Sequence, residues 1–119
     1  MATTNLNGEN FDATVTENEI VLVDFWASWC GPCRMFAPVY DNAAVAHPDI
    51  VFGKVDTEVE QSLAGAAQIT SIPTLMAFKN GTLVFSQPGA LPAAALEQVI
   101  TAVRDLDLED ALAGQQRSA

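Results

Sequence analysis

Ile20-Val21-Leu22-Val23-Asp24-Phe25-Trp26-Ala27-Ser28-Trp29-Cys30-Gly31-Pro32-Cys33 is the stretch whose reading decides how this chain folds. Its first eight residues are apolar except for Asp24, which is the pattern of a buried strand. The two cysteines that follow are the only ones in the chain and stand three positions apart. A segment with helical patterning comes next, so the stretch reads as strand, turn and helix, with both sulfurs at the helix start.

That placement has chemical consequences. Unpaired backbone N–H groups and the positive end of the helix dipole favour a thiolate at Cys30, and the thiolate is the nucleophilic form. Cys33 lies on the same helical face. Cβ atoms at that spacing are roughly 5 to 6 Å apart in a regular helix, against about 3.8 Å in a disulfide. Closing the bond must pinch the turn, which leaves it reducible. Pro32 suits an early helical position, where its missing N–H is no loss, and it stiffens the link between the thiols. Gly31 allows close approach of another backbone.

Three other readings compete. A structural disulfide in so small a ring removes only about 2 kcal/mol of unfolded-chain entropy, a poor staple for a chain of this length. Half of a zinc site would need further ligands, and only His47 and scattered carboxylates are on offer. Two inert buried thiols fit poorly with the Gly-Pro spacer and the helix start.

Length and composition fit redox chemistry. With 119 residues, 50% of them hydrophobic, the chain can bury one substantial core. One domain over residues 1–107 is expected, with an acidic-to-polar tail over 108–119 that frays or is disordered. Fifteen acidic residues against five basic ones give a net charge of -10, which disfavours nucleic acid and anionic membrane surfaces as partners. Met1 to Gly8 has neither a basic start nor an apolar core, so no signal peptide is expected. No apolar stretch is long enough to span a bilayer. A soluble, cytoplasmic monomer follows, and in a reducing compartment a close cysteine pair is catalytic sooner than structural.

Along the chain, helix and strand signals alternate without repeats or linkers. A helix is expected from about Glu9 to Glu17, with Phe11 and Val15 as its apolar face. A long helix from about Gly31 to His47 must bend at Pro38. Ile50 to Asp56 reads as a strand, and Thr57-x-x-Glu60 as a capping box opening a helix through about Ala67. Strand, helix and strand in succession imply parallel pairing with right-handed crossovers. The pattern then changes: Thr74 to Lys79 and Thr82 to Ser86 flank Asn80-Gly81, a strong hairpin signal, so the sheet is mixed. Pro92 starts a last helix whose buried stripe is Leu96, Val99, Ile100 and Val103. The run from Asp105 to Asp110 extends that helix or frays.

Two separated motifs now carry a family resemblance. Phe25 to Cys33 is similar to the active-site signature of the thioredoxins, and Ser71-Ile72-Pro73-Thr74 with Phe78-Lys79-Asn80-Gly81 resembles that family's second hallmark, in the same order. The likeness runs from about Phe11 to Val103. It implies an α/β thioredoxin fold, a central mixed β-sheet flanked by helices on both faces. It also implies a protein-disulfide reductase that reduces client proteins through the Cys30/Cys33 dithiol. Recycling then falls to a flavin-containing, NADPH-dependent thioredoxin reductase. FAD and NADPH belong to that partner, so the chain itself needs no bound cofactor; its redox group is the Cys30–Cys33 disulfide, and no metal site is expected.

Individual roles follow in the same way. A carboxylate inside an apolar strand is costly to ionise, so Asp24 has a raised pKa unless it sits at an exposed strand end; such a group suits proton transfer near neutrality. The resemblance puts it beneath the disulfide, helping to deprotonate Cys33. Lys54, otherwise a snorkelling lysine, resembles the partner of that buried Asp. The family carries a cis bond before Pro73, facing the cysteines, and the Ile72 backbone pairs there with an extended client. Trp29, Gly89 and Ala90 complete a flat apolar patch around the nucleophile, while Trp26 is core support. Gly31-Pro32 is the reductase dipeptide, where oxidant and isomerase relatives place His. Two sites depart from the family pattern, and at the first Gln87-Pro88 stands before Gly89 where an apolar residue is usual, which reshapes the client groove. Arg34 replaces the commoner lysine and keeps its charge. His47 is a helix-end residue with no chemistry assigned. A binding module without redox turnover is the alternative from another class, and Cys30→Ser separates the two.

Overall fold

The apolar run at 20–26 becomes the middle strand of a five-stranded sheet. The computed structural model describes residues 2–109. In order they form β1 (Thr3–Asn5), α1 (Phe11–Glu17), β2 (Ile20–Trp26), α2 (Gly31–Ala46), β3 (Val51–Asp56), α3 (Gln61–Ala66), β4 (Thr74–Lys79), β5 (Thr82–Pro88) and α4 (Ala93–Asp105). Across the sheet the order is β1-β3-β2-β4-β5. β1 and β2 pair parallel with β3, and β4 pairs antiparallel with β2 and β5, so the sheet is mixed as expected.

Side-chain alternation along β2 sorts the core into two layers. Ile20 and Leu22 face α2 and α4, packing with Phe36, Tyr40, Phe52, Leu96 and Ile100. Val21, Val23 and Phe25 face the other way, with Val15 of α1 and Leu63 of α3. Helices therefore cover both faces, and β2, buried on each, has to read as a continuous apolar run. By the same alternation Asp24 and Trp26 belong to the α2 face, which puts a carboxylate under the helix that begins with the cysteines.

Local chemistry explains the turns. Asn80 and Gly81 both take positive φ, 50° and 82°, the conformation of a two-residue hairpin whose twist matches the strands. α4 begins after Pro92, and Leu96, Ile100 and Val103 are buried with Val99 packed alongside, as the spacing predicts. Its C-terminal carbonyls are capped by Lys79 of β4, whose Nζ donates to Val103 O at 2.8 Å, Arg104 O at 2.9 Å and Leu106 O at 2.8 Å. At the C-cap of α2, His47 joins a polar cluster with α4. Arg104 Nη2 donates to His47 Nδ1 at 3.0 Å, and His47 Nε2 meets Glu97 at 2.9 Å. A guanidinium can only donate, so the proton of the ring sits on Nε2.

Several expectations are corrected. The capping box does not form: Thr57 Oγ1 donates to Trp26 O at 3.1 Å, and α3 starts only at Gln61, with no side-chain cap from Glu60. Glu60 instead accepts from the Gly8 N–H at 3.2 Å. α1 begins at Phe11, because Asn7 Oδ1 takes the Glu9 and Asn10 N–H groups into a preceding turn. β5 runs to Pro88, paired with Thr74 on the sheet edge, where a missing N–H is tolerated. α2, which runs through Pro38 as expected, ends at Ala46, with His47 as its C-cap. α4 ends at Asp105 and does not extend unbroken through the acidic run, while 108 and 109 are helical again. The remainder of the expected tail, 110–119, lies outside the described residues. β1 was not foreseen. It docks on the outer edge of β3 and is secured by Leu6, buried at 3% exposure, whose N–H donates to Lys54 O at 2.8 Å. Among the described residues no helix is long and apolar enough to cross a membrane.

Candidate active site

β2 ends at Trp26, Ala27 is buried, and the chain turns outward through Ser28 and Trp29 before α2 begins. Cys30 is the N-cap of α2 in extended conformation, and its Sγ accepts the Cys33 N–H at 3.2 Å. Pro32 sits in the first helical turn, where helix N–H groups have no partner. One unsatisfied helix donor is thus aimed at the Cys30 sulfur, the arrangement that stabilises a thiolate. The structure holds the oxidised form: a disulfide joins Cys30 to Cys33, with Cα atoms 5.2 Å apart.

Both cysteines are more enclosed than a nucleophile's role suggests, at 4% and 3% exposure. Ala27, Trp26 and Ile72 pack around them. Cys30 Sγ lies 3.7 Å from the Ile72 carbonyl oxygen, and the Ile72–Pro73 bond is cis. Gly89, at φ 105°, donates its N–H to Pro73 O at 2.7 Å, so the 89–90 turn stands beside Pro73. A glycine is required there, since other residues rarely adopt that φ. Trp29 projects at 65% exposure with its indole N–H donated to Glu58 Oε1 at 2.6 Å. Among the described residues, a Cβ built on Gly31 would meet only Arg34 Nη2, at 4.0 Å, beyond its own neighbours and helix backbone. Arg34 folds back to donate to Ser28 O at 2.9 Å.

Beneath the sulfurs, Asp24 is buried at 1% exposure, and its carboxyl is pushed up to about 7. Desolvation is the main cause; the charge of Lys54 pulls it down and that of Asp41 pushes it up. Lys54 pairs with Asp24 in strand register but makes no ion pair with it. Its ammonium stands over the Trp26 ring, 5.0 Å from the centroid, so it acts on Asp24 through space. A cavity of about 90 Å3 connects these groups, lined by Asp24, Trp26, Cys33, Arg34 and Lys54 among others.

The structure thus gathers Cys30, Cys33, Asp24, Lys54, Ile72 and Pro73 from four separate segments. Two contributors went unread in the sequence. Glu58 carries no local signal, because its partner lies 29 residues away. Trp26 reads only as core, yet it borders the disulfide, Lys54 and the cavity at once.

Fold and site together define a thiol–disulfide oxidoreductase. Residues 2–102 match the family model described as Thioredoxin. A Streptomyces coelicolor chain assigned as thioredoxin 2 is 58% identical over 121 residues, covering 99% of this chain and 90% of the relative. The Plasmodium falciparum thioredoxin structure superposes with a TM-score of 0.78 at 37% identity, covering 83% of this chain and 97% of that one. A solved chain from yeast, associated with thiol resolution in a mitochondrial 1-Cys peroxiredoxin by glutathione and thioredoxin systems, gives 0.77 at 32% identity, over 87% and 95% of the two chains. The chain belongs to the thioredoxin family.

Proposed function

We propose that this thioredoxin reduces disulfides in client proteins in the cytoplasm and is recycled by a flavin-containing reductase using NADPH. Cys30 thiolate attacks one client sulfur, forming a mixed disulfide and releasing the other client sulfur as a thiolate. Asp24 takes the proton of Cys33. The Cys33 thiolate then attacks Cys30 Sγ, the mixed disulfide breaks, and the client leaves with both electrons of the dithiol. The observation that carries this order is the placement of the sulfurs: Cys30 Sγ receives a helix N–H, and Cys33 shares a cavity with a carboxyl that titrates near neutrality.

Client binding is assigned to Ile72, Pro73, Trp29, Gly89 and Ala90. An extended client segment pairs with the Ile72 backbone beside Cys30, and Gly31 leaves room for it. Pro32 and Gly31 set the redox poise, and Lys54 sets the charge around Asp24. The peroxiredoxin context of the yeast relative supports protein disulfides as the client class. A reducing compartment agrees with a chain whose only cysteines are this pair.

Cys33→Ser tests the order of attack. It should accumulate clients as a mixed disulfide through Cys30, visible on a non-reducing gel and removed by dithiothreitol. A trapped species in Cys30→Ser instead, with none in Cys33→Ser, reverses the assignment. NADPH oxidation coupled to insulin reduction through a purified thioredoxin reductase checks the recycling.

A further inference from the structure

Trp26 Nε1 and Asp24 Oδ1 are the buried side-chain polar atoms that have no hydrogen-bond partner among the described residues. One can only donate, and the other accepts when ionised. They belong to residues two apart on β2, so they share a face. Both residues also line the same cavity of about 90 Å3, together with Cys33. Buried polar groups in folded proteins are paired with protein or with water. A water needs about 10 to 15 Å3 and two to four polar partners, and this cavity supplies the room and the partners.

We propose that Trp26 is a positioning residue for proton transfer at the active site: its indole N–H holds a water in the cavity between Asp24 and Cys33. The water accepts from Nε1, which turns its hydrogens toward Asp24 Oδ1 and leaves its second lone pair for the Cys33 S–H. Transfer then balances. The Cys33 S–H bond breaks as a water O–H bond forms, and the water's original O–H breaks as Asp24 gains its proton. The same ring does a second job, since its face carries Lys54 at 5.0 Å. Among natural side chains only an indole combines a strong cation-binding face with an N–H on its edge.

The groups that bear on Asp24 are Lys54 on β3, and Cys33, Arg34, Tyr40 and Asp41 on α2; β4 offers apolar Leu75 as its pairing neighbour, and Asp56 on β3 pairs in register with Trp26. Tyr40 is tied up, donating its hydroxyl to Gly53 O at 2.7 Å. Trp26 is therefore the group of fixed polarity next to the carboxyl whose contribution can be removed without removing a charge.

The inference rests on Asp24 acting as the base for Cys33, and the test separates the two. The pH midpoint of mixed-disulfide resolution is measured for the wild type, for Asp24→Asn, and for a protein in which the Trp26 indole is replaced by benzothiophene. That isostere keeps the ring face for Lys54 and loses only the N–H. Its midpoint should rise by about half a pH unit or more, because the carboxylate loses a hydrogen-bonded water; an unmoved or lowered midpoint overturns the proposal. If Asp24→Asn keeps the wild-type midpoint, the base assignment itself fails. If Asp24→Asn abolishes it while the isostere leaves it unmoved, only the role of Trp26 fails. A second readout does not depend on the isostere folding. In the wild-type protein the Trp26 indole proton should show a magnetisation-transfer peak to a long-lived water, and its shift should titrate together with the Asp24 carboxyl carbon. Absence of that peak overturns the proposal equally.

Discussion

At the residue scale, Asp24 sets the molecule's pH dependence. Its carboxyl titrates at about 7 in the fold against 3.8 when exposed, because burial penalises the anion more than Lys54 favours it. The sign follows from linkage. The folded state binds this proton more tightly, so the stability it contributes is complete below pH about 4 and is lost as pH rises through about 7. Roughly three pH units at about 1.4 kcal/mol each give an upper bound of about 4 kcal/mol. Asp24→Asn in the oxidised protein should therefore gain on the wild type by up to about 4 kcal/mol more above pH about 8 than below pH about 4. Urea denaturation at both pH values measures it, and equal pH slopes in the two proteins contradict the burial argument. The raised carboxyl was legible from sequence because seven apolar neighbours in one strand leave it nowhere wet to go. The pairing of Trp29 with Glu58 was not, since it joins a turn after β2 to a turn after β3.

At the element scale, the features read correctly are those decided within a few residues. The hairpin at Asn80-Gly81 and the stripe of α4 belong here, because turn φ values and helical spacing are local properties. The capping box failed where a local pattern met a tertiary competitor: Trp26 O captured the Thr57 hydroxyl. β1 was invisible because three polar residues show no period, and its place depends on Gly53. A Cβ at Gly53 would collide with Leu6 Cδ1. Gly53→Ala should thus cost about 1 to 3 kcal/mol by overpacking, with amide exchange fastest in β1; unchanged stability and protection would show that Leu6 can simply move aside. Lys79 is the second element-scale device, its ammonium holding three carbonyls at the end of α4. Lys79→Met removes those donors from a site that water reaches poorly, and should lower stability by about 3 kcal/mol. Circular dichroism melts check this, and a loss near zero would mean that water serves those carbonyls equally well.

At the scale of the whole molecule, charge and shape act together. A net charge of -10 leaves a long-range field that attracts cationic partners and repels anionic ones. Of two disulfide peptides of equal length and opposite charge, the cationic one should be reduced with the higher kcat/KM at low salt. The gap should close as added salt shortens the Debye length to about 3 Å at 1 M; a gap indifferent to salt would assign the preference to contacts instead of the field. Arg104 gives the surface a further tie, reaching Asp49 with both nitrogens at 2.6 and 2.9 Å and holding that carboxyl down at about 2. Asp49 is solvent-exposed, so screening keeps this tie weak.

The chain's own order of residues determined the strand, turn and helix that carry the cysteines, the mixed sheet and the buried carboxylate, because burial pattern, spacing and turn chemistry act over short stretches. Tertiary structure alone decided how enclosed the sulfurs are, that Lys54 rests on Trp26 instead of on Asp24, and that Cys33, Asp24 and Trp26 line one cavity. Those outcomes depend on which side chains meet across strand register and helix packing, and such meetings leave no trace in the spacing of residues along the chain.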